Sequence, residues 1–236
     1  MTLEDSIIPE IAANPARFTI VGETHPDETI ETLIDALIGT GNYETLYLKA
    51  LDMGNYEEEG DKLKREGGVY SHNPAKYDRI IRHAIGKGMD VRGIGGNRKD
   101  TNEDTARWAD YILSTNKGKC LVLTGTGHVN YWHDYDEQSQ LLPAHIAGKG
   151  IPVQEIITIP EYRINQKAAL KSRQIYRSES LPWLKEFGNY IFVRAYSQRE
   201  EEFERGIMME NKPLKSNFEE FPLRHISGIQ GGRHDA

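Results

Sequence analysis

The hydrophobic positions of this chain form short apolar runs that alternate with amphipathic segments. The apolar runs predict strands over residues 18–22, 45–51, 89–94 and 119–124. The amphipathic segments, with apolar residues every three or four positions, predict helices over residues 27–38, from 73 to either 86 or 88, and over 102–115. Strands that alternate with helices indicate βα units. The pattern therefore predicts an α/β fold with a mainly parallel central sheet flanked by helices.

The inward face of the predicted helices follows from the same spacing. Ile80, Ile81, Ala84 and Ile85 form the apolar stripe of the second helix. In the third helix, the residues expected to face inward are Ala106, Ala109, Ile112 and Leu113.

The second half of the chain has a less regular pattern. A helix is predicted over 138–147, and strands are predicted over 151–159 and 190–196. Pro152 favours an edge or strand-start position, because proline cannot donate a hydrogen bond to a neighbouring strand. The charged segment 57–59 predicts a solvated loop, and residues 160–187 allow no assignment.

Charge density rises and periodicity is lost beyond residue 197. We therefore predict a single α/β domain over residues 1–197, followed by a peripheral helix and a mobile C-terminal tail over residues 198–236.

Composition narrows the classes of protein to which the chain can belong. The 236 residues carry a formal net charge of -7, and the mean hydropathy is -0.62. No apolar run approaches the roughly 20 residues that span a bilayer, so no membrane span is predicted. The basic residues are scattered, whereas nucleic-acid binding requires a clustered basic face. We expect a soluble globular protein that does not bind nucleic acid.

The single cysteine and the first residues bear on the cellular compartment. Cys120 lies in an apolar run, which predicts a buried thiol, and one cysteine cannot form an internal disulfide. A reducing compartment fits best. The first six residues lack the basic region and apolar stretch of a secretory signal, so general export is not predicted and other routes stay open.

Two short motifs carry the candidate chemistry. The first, GETH, runs from Gly22 to His25, and the second, GTGH, runs from Gly125 to His128. Each directly follows a strong predicted strand, where glycine allows the backbone to turn sharply. The carboxyl ends of parallel strands share one crevice, so motifs far apart in sequence can converge there. We predict the site at these strand ends.

The motifs supply a carboxylate and two imidazoles, from Glu23, His25 and His128. This set suits general acid/base catalysis near neutral pH, and it also suits a divalent metal, so both remain open. A haem is the less favoured cofactor. A glycine turn followed by a histidine that only packs is the commoner explanation of either motif alone, but the shared strand context favours function.

Further residues could support this site. Asp27 could orient an imidazole, and His133 could join from the loop that follows His128. Arg98 follows the third strand and could offer a cation to an anionic substrate, although most arginines in such loops are simply solvated.

The two motifs, in this order, resemble those of the erythromycin esterase, ChaN-like and TIKI/TraB superfamily. The C2 domain of Pasteurella-type toxin and certain type III effectors of plant-pathogenic bacteria are similar as well. The likeness covers residues 17–160. It implies an α/β fold with the site at the strand ends, acting in different members as an esterase, a metal-dependent peptidase or a haem-binding protein. Glu23, His25 and His128 match the functional positions.

One position departs from this resemblance. Many members carry an acidic residue at the end of the second strand, where this chain has Lys49. A lysine beside two histidines would repel a metal cation, unless it points away or is itself the functional amine. Asp52 is an alternative source of the acid.

The sequence leaves several functions open. The leading hypothesis is an effector or toxin-like hydrolase that cleaves an ester or amide in a small-molecule or protein substrate. It would act in the bacterial cytoplasm or, after delivery by a specialised secretion system, in a host cytosol, where a host protein could be its partner. The alternatives are a haem- or metal-binding protein of the ChaN type and a non-catalytic effector with a remnant site.

Overall fold

The fold is described here from a computed structural model. The residues that it describes are 7–23, 30–59, 62–65, 74–95, 102–129, 141–160, 174–180 and 189–194. The predicted boundary at residue 197 and the predicted tail lie outside these ranges and stay predictions.

Strands and helices alternate through most of the described chain. The strands are β1 Phe18–Glu23, β2 Thr45–Asp52, β3 Gly54–Glu59, β4 Lys62–Arg65, β5 Asp90–Gly95, β6 Cys120–Gly125, β7 Val153–Pro160, β8 Gln174–Arg177 and β9 Tyr190–Arg194. The helices are α1 Ile8–Ala13, α2 Ile30–Gly39, α3 Pro74–Gly86, α4 Asn102–Thr115 and α5 Leu142–Ala147. Short 3-10 turns cover Thr126–His128 and Ser178–Ser180.

Within the described residues, the nine strands form one sheet in the order β4-β3-β5-β2-β6-β1-β7-β9-β8. All pairings from β5 through β2, β6, β1 and β7 to β9 are parallel. The pairings of β3, β4 and β8 are antiparallel. The predicted α/β fold with a mainly parallel sheet is therefore confirmed, and β1 and β6 lie side by side at its centre.

The sheet is covered on both faces, and each face has its own apolar cluster. On one face, Val21 and Leu48 pack with residues of α2 and α3 such as Leu33. We call this the α3 face. On the other, Ile20 and Trp108 belong to a second cluster. We call this the α4 face. Burial on both faces explains why the central strands are continuous apolar runs.

The predicted loop at 57–59 is wrong. These residues end β3, which forms an antiparallel ladder with β4. In the ladder, Glu57 lies opposite Lys64 and Glu59 lies opposite Lys62. The charged sequence of this segment lacks the apolar alternation that indicates a strand, which explains the prediction of a loop.

Two other features differ from or refine the predictions. β8 was not predicted. β7 lies between β1 and β9, so it is not an edge strand, and it begins at Val153 directly after Pro152. The strand-start alternative for Pro152 is therefore the correct one.

Cys120 is fully buried, as predicted, and burial raises the pKa of its thiol to about 12. Among the helices in the described ranges, none is long and apolar enough to cross a membrane.

Candidate functional site

The strands that carry the two motifs are direct neighbours. β1 pairs with β6 in parallel, with Gly22 opposite Thr124 and Glu23 opposite Gly125. Both strands therefore end at the same level of the sheet. His128 closes the 3-10 turn that begins directly after Gly125. The topology thus brings the first motif's carboxylate-bearing residue and the second motif to one end of the sheet.

Position 22 requires a glycine because the backbone of the second motif lies too close for a side chain there. A Cβ at this position would lie 3.0 Å from the Cα of Thr126 and 3.2 Å from the Cγ2 of Val129. Its φ lies outside the left-handed region that favours glycine. The glycine therefore serves a close approach of the second turn, and the sharp backbone turn expected from the sequence is not its role.

The hydroxyl of Thr158 donates a hydrogen bond to the carbonyl oxygen of Gly22 at 2.7 Å. The Oγ1 atoms of Thr158 and Thr126 are 3.5 Å apart. This chain of contacts ties β7, β1 and the second motif together. It fixes the backbone from which the candidate site is built.

Glu23 points toward the α3 face, where two residues of α3 hold its carboxylate. Lys76 Nζ donates to Oε2 at 2.9 Å, and the Tyr77 hydroxyl donates to Oε1. Glu23, Lys76 and Tyr77 are 3%, 4% and 1% exposed. Buried charges of this kind persist only when they are paired. The three side chains therefore form one buried polar cluster beneath the first motif.

Lys76 and Tyr77 were not singled out from the sequence, although a signal was present. Lys76 precedes Ile80 by four residues, and Tyr77 precedes Ile81 by four, so both fall on the buried stripe of α3. A lysine on an apolar stripe requires a buried partner. That requirement points to a buried carboxylate such as Glu23.

The predicted metal ligand set fits poorly at Glu23. Both carboxylate oxygens already accept hydrogen bonds, and the ammonium of Lys76 lies 2.9 Å from one of them. A divalent cation bound there would face that positive charge at short range. In the described ranges, which do not include His25, no group of three or more His, Cys, Asp or Glu residues could hold a metal.

His128 lies against α4 on the opposite face of the sheet. Its ring is 4.9 Å from that of Trp108 between centroids, with an interplanar angle of 77°. His128 is 9% exposed and Trp108 is fully buried. Such an edge-to-face contact fixes the orientation of an imidazole. Trp108 therefore positions His128, and α4 contributes to the site a residue that the sequence analysis did not identify.

Lys49 also lies on the α4 face. Its Nζ is 5.6 Å from the centroid of the Trp108 ring, a distance at which a cation is attracted to the ring. The pairing register of β2 with β5 shifts between Leu48 and Asp52, so Lys49 lies within an irregularity of the strand. A Cβ at Gly95 would collide with the Lys49 carbonyl oxygen, so that glycine permits the irregular backbone. Lys49 thus shares the Trp108 ring with His128.

Known proteins give little further guidance. No family model and no curated protein matches this chain. Among solved structures, it is similar to the type III effector HopBA1, with a TM-score of 0.48 and 12% identity over 83% of this chain and 94% of that one.

A second similar structure is the signal recognition particle 54 kDa protein from Aeropyrum pernix K1 in complex with GDP. Its TM-score is 0.32 and its identity 15%, over 63% of this chain and 30% of that one. Neither likeness is close enough to assign a family or a function.

The described residues thus place the predicted site in two halves. Glu23 lies on the α3 face with Lys76 and Tyr77, whereas His128 and Lys49 lie on the α4 face with Trp108. Four other predicted site residues, His25, Asp27, Arg98 and His133, lie outside the described residues. The combined assignment of Glu23, His25 and His128 therefore stays a prediction.

Proposed function

We propose that this protein is a hydrolase that cleaves an ester or amide at the carboxyl ends of β1 and β6. The observation that carries the proposal is the alignment of Glu23 with Gly125 on adjacent parallel strands, where Gly125 leads into the 3-10 turn that ends at His128. Ligands of open α/β sheets bind outside the carboxyl ends of the strands. The imidazole of His128 and the ammonium groups of Lys49 and Lys76 lie at this end of the sheet, and such a set favours a catalytic site over simple packing.

In the proposed reaction, His128 acts as general base. Its imidazole takes a proton from a water molecule while the water oxygen attacks the carbonyl carbon of the substrate. The resulting imidazolium then returns the proton to the leaving alcohol or amine as the carbon–oxygen or carbon–nitrogen bond breaks. Trp108 supports this role because it holds the imidazole ring in one orientation.

The first motif has a complementary role in this proposal. Glu23 is fixed by Lys76 and Tyr77, so its carboxylate anchors the start of the segment that leads to His25 two residues later. We propose His25 as the second acid/base residue. Glu23 is then a positioning residue and not a metal ligand.

The test is activity on a panel of p-nitrophenyl esters and p-nitroanilides. His128→Ala and His25→Ala should each lower kcat/KM by about 100-fold or more, the usual contribution of a general acid or base. His83→Ala is the matched control, because His83 is about one-third exposed and pairs with Asp35 between α3 and α2. Far-ultraviolet circular dichroism verifies folding. Full activity of both motif variants would reject the proposal.

We also propose that the hydrolase acts as an effector inside a host cell. The support is the resemblance of GETH and GTGH to motifs of a superfamily that includes toxins and effectors. Expression of the wild type in host cells should cause cell death or an immune response, measured as ion leakage. Loss of that response in His128→Ala indicates an enzymatic effector. An equal response to both proteins indicates recognition of a surface, as expected for a remnant site.

A further inference from the structure

Two polar side-chain atoms at the motif end of the sheet are buried without a hydrogen-bond partner in the described structure. They are Nε1 of Trp108 and Oγ1 of Thr124. Trp108 is fully buried and Thr124 is 1% exposed. Buried donors without partners are rare in folded proteins, because each loses its hydrogen bonds to water and regains none. Two of them at one end of one sheet call for an explanation.

Both residues lie on the α4 face. Cys120 and Val122 of β6 belong to the same apolar cluster as Trp108, and side chains alternate along a strand, so Thr124 points to that face as well. β2 pairs with β6 up to Leu48 opposite Leu123. The residue after each is Lys49 and Thr124, so the two directly follow the last paired residues of adjacent strands.

Within the described ranges, the side chains that contact the Trp108 ring supply a cation and a hydrogen-bond donor. Lys49 Nζ and the His128 ring both contact the Trp108 ring. An ammonium and an indole N–H only donate, and a hydroxyl or an imidazole can donate. Asp104, one turn before Trp108 on α4, carries a carboxylate, and its Oδ1 accepts a hydrogen bond from Arg107 at 2.9 Å. The cluster as a whole favours a negatively charged oxygen group.

The direction of α4 adds to this preference. The helix follows β5, whose carboxyl end lies at the same end of the sheet as those of β2, β6 and β1. The N-terminal half of α4 is therefore directed toward that end, where the helix dipole is positive. The helix dipole adds to the preference for an anion that the unpartnered donors create, and the inference does not depend on it.

We infer that Trp108, Thr124, Lys49 and His128 form a binding site for an anionic oxygen group, a carboxylate or a phosphate. The indole N–H and the hydroxyl donate to its oxygens, and Lys49 supplies the counter-charge. Lys49 is half-buried. Use of this site to hold an anionic group of the substrate rests on the proposed function, whereas binding of the anion itself does not. The substrate is then an ester or amide that carries a carboxylate or phosphate group.

The test measures binding of acetate and inorganic phosphate to the full chain by isothermal titration calorimetry, with chloride at equal ionic strength as the reference. Trp108→Phe removes Nε1 but keeps an aromatic ring, and Thr124→Val removes the hydroxyl but keeps the shape. Each should weaken binding of the preferred probe by about 10-fold or more, because hydrogen bonds to charged groups are strong. Lys49→Met should weaken it as well, and Lys49→Arg should retain it.

The matched control is Thr45→Val. Thr45 Oγ1 is also buried without a partner, but it lies in the first residue of β2, at the opposite end of the sheet. This variant should bind both probes as the wild type does. Circular dichroism verifies folding, and Thr124→Val decides the question if Trp108→Phe fails to fold.

Two results would overturn the inference. Wild type that binds neither acetate nor phosphate has no anion site. Equal binding by the wild type, Trp108→Phe and Thr124→Val means that the donors serve only structure. Hydrolytic activity without anion binding contradicts the inference alone. Anion binding that depends on Trp108 and Thr124, in a protein without hydrolytic activity, supports the inference and contradicts the proposed function.

Discussion

Removal of the Lys76 ammonium should destabilise this protein far more than an ordinary lysine substitution does. Lys76→Met keeps most of the side-chain volume but removes the ammonium that lies 2.9 Å from the carboxylate of Glu23. Both side chains are nearly inaccessible, at 5% and 3% exposure, so water cannot replace the lost partner. The hydrogen bond from Tyr77 remains and limits the loss.

The magnitude follows from the geometry. At 2.9 Å, two unit charges attract by about 6 kcal/mol with an effective dielectric constant of about 20. Much of this offsets the desolvation of the two ions, so the pair adds little net stability. Loss of one partner nevertheless exposes the other to the full desolvation penalty, which amounts to about 3–5 kcal/mol in comparable cases. Because Tyr77 still donates, we expect about 3 kcal/mol for Lys76→Met.

The assay is urea unfolding followed by circular dichroism for Lys76→Met, Glu23→Gln and the double variant. The double variant lacks both charges of this pair, so the coupling energy of the cycle should be about 2 kcal/mol or more. Lys117→Met is the control, since Lys117 is 70% exposed and 3.6 Å from Asp90, and it should change stability by less than about 1 kcal/mol. A coupling energy near zero would refute the reasoning.

Two further changes test the packing and the electrostatics of the sheet. Gly22→Ala should lower the free energy of unfolding by about 1–3 kcal/mol, because the new Cβ meets the Thr126 backbone. Gly39→Ala is the control, since no atom lies within 4 Å of its new Cβ, and it should not destabilise the protein. Equal urea midpoints for the two variants would contradict this prediction. Burial raises the pKa of Glu155 from 4.5 to about 7. The folded state therefore binds a proton at this carboxyl more tightly than the unfolded state does. The free energy of unfolding should fall by up to about 3 kcal/mol as pH rises from about 4.5 to 7. Glu155→Gln should remove that dependence in unfolding measured at pH 5 and pH 8, and an unchanged slope would exclude Glu155 as its source.

The elements that could be predicted from sequence are those with a clear period. α4 spans Asn102–Thr115, the predicted range, because apolar residues recur there at helical spacing. The hairpin of β3 and β4 escaped prediction because its charged sequence lacks the apolar alternation that indicates a strand. β8 is only four residues long, too short for a period to emerge.

The candidate site also contains features that could be predicted from the sequence and features that could not. Parallel strands have their carboxyl ends on one side of a sheet, so a common end for the two motifs could be expected before the structure, although the adjacency of β1 and β6 could not. Lys76 and Trp108 could not be assigned to it in the same way. They come from helices on opposite faces of the sheet, and their contacts with Glu23 and His128 depend on how those helices pack. The spacing of apolar residues along a helix shows which side chains point inward, but it does not show which residues they contact.

The contact between Gly22 and Thr126 also has an evolutionary consequence. The two motifs lie about one hundred residues apart in the chain, yet a single added carbon in the first would collide with the backbone of the second. In related proteins, a residue larger than glycine at the first position should therefore occur only with a rebuilt second turn. The two motifs should be inherited as a pair, and a chain that keeps only one of them should have lost the close junction between β1 and β6.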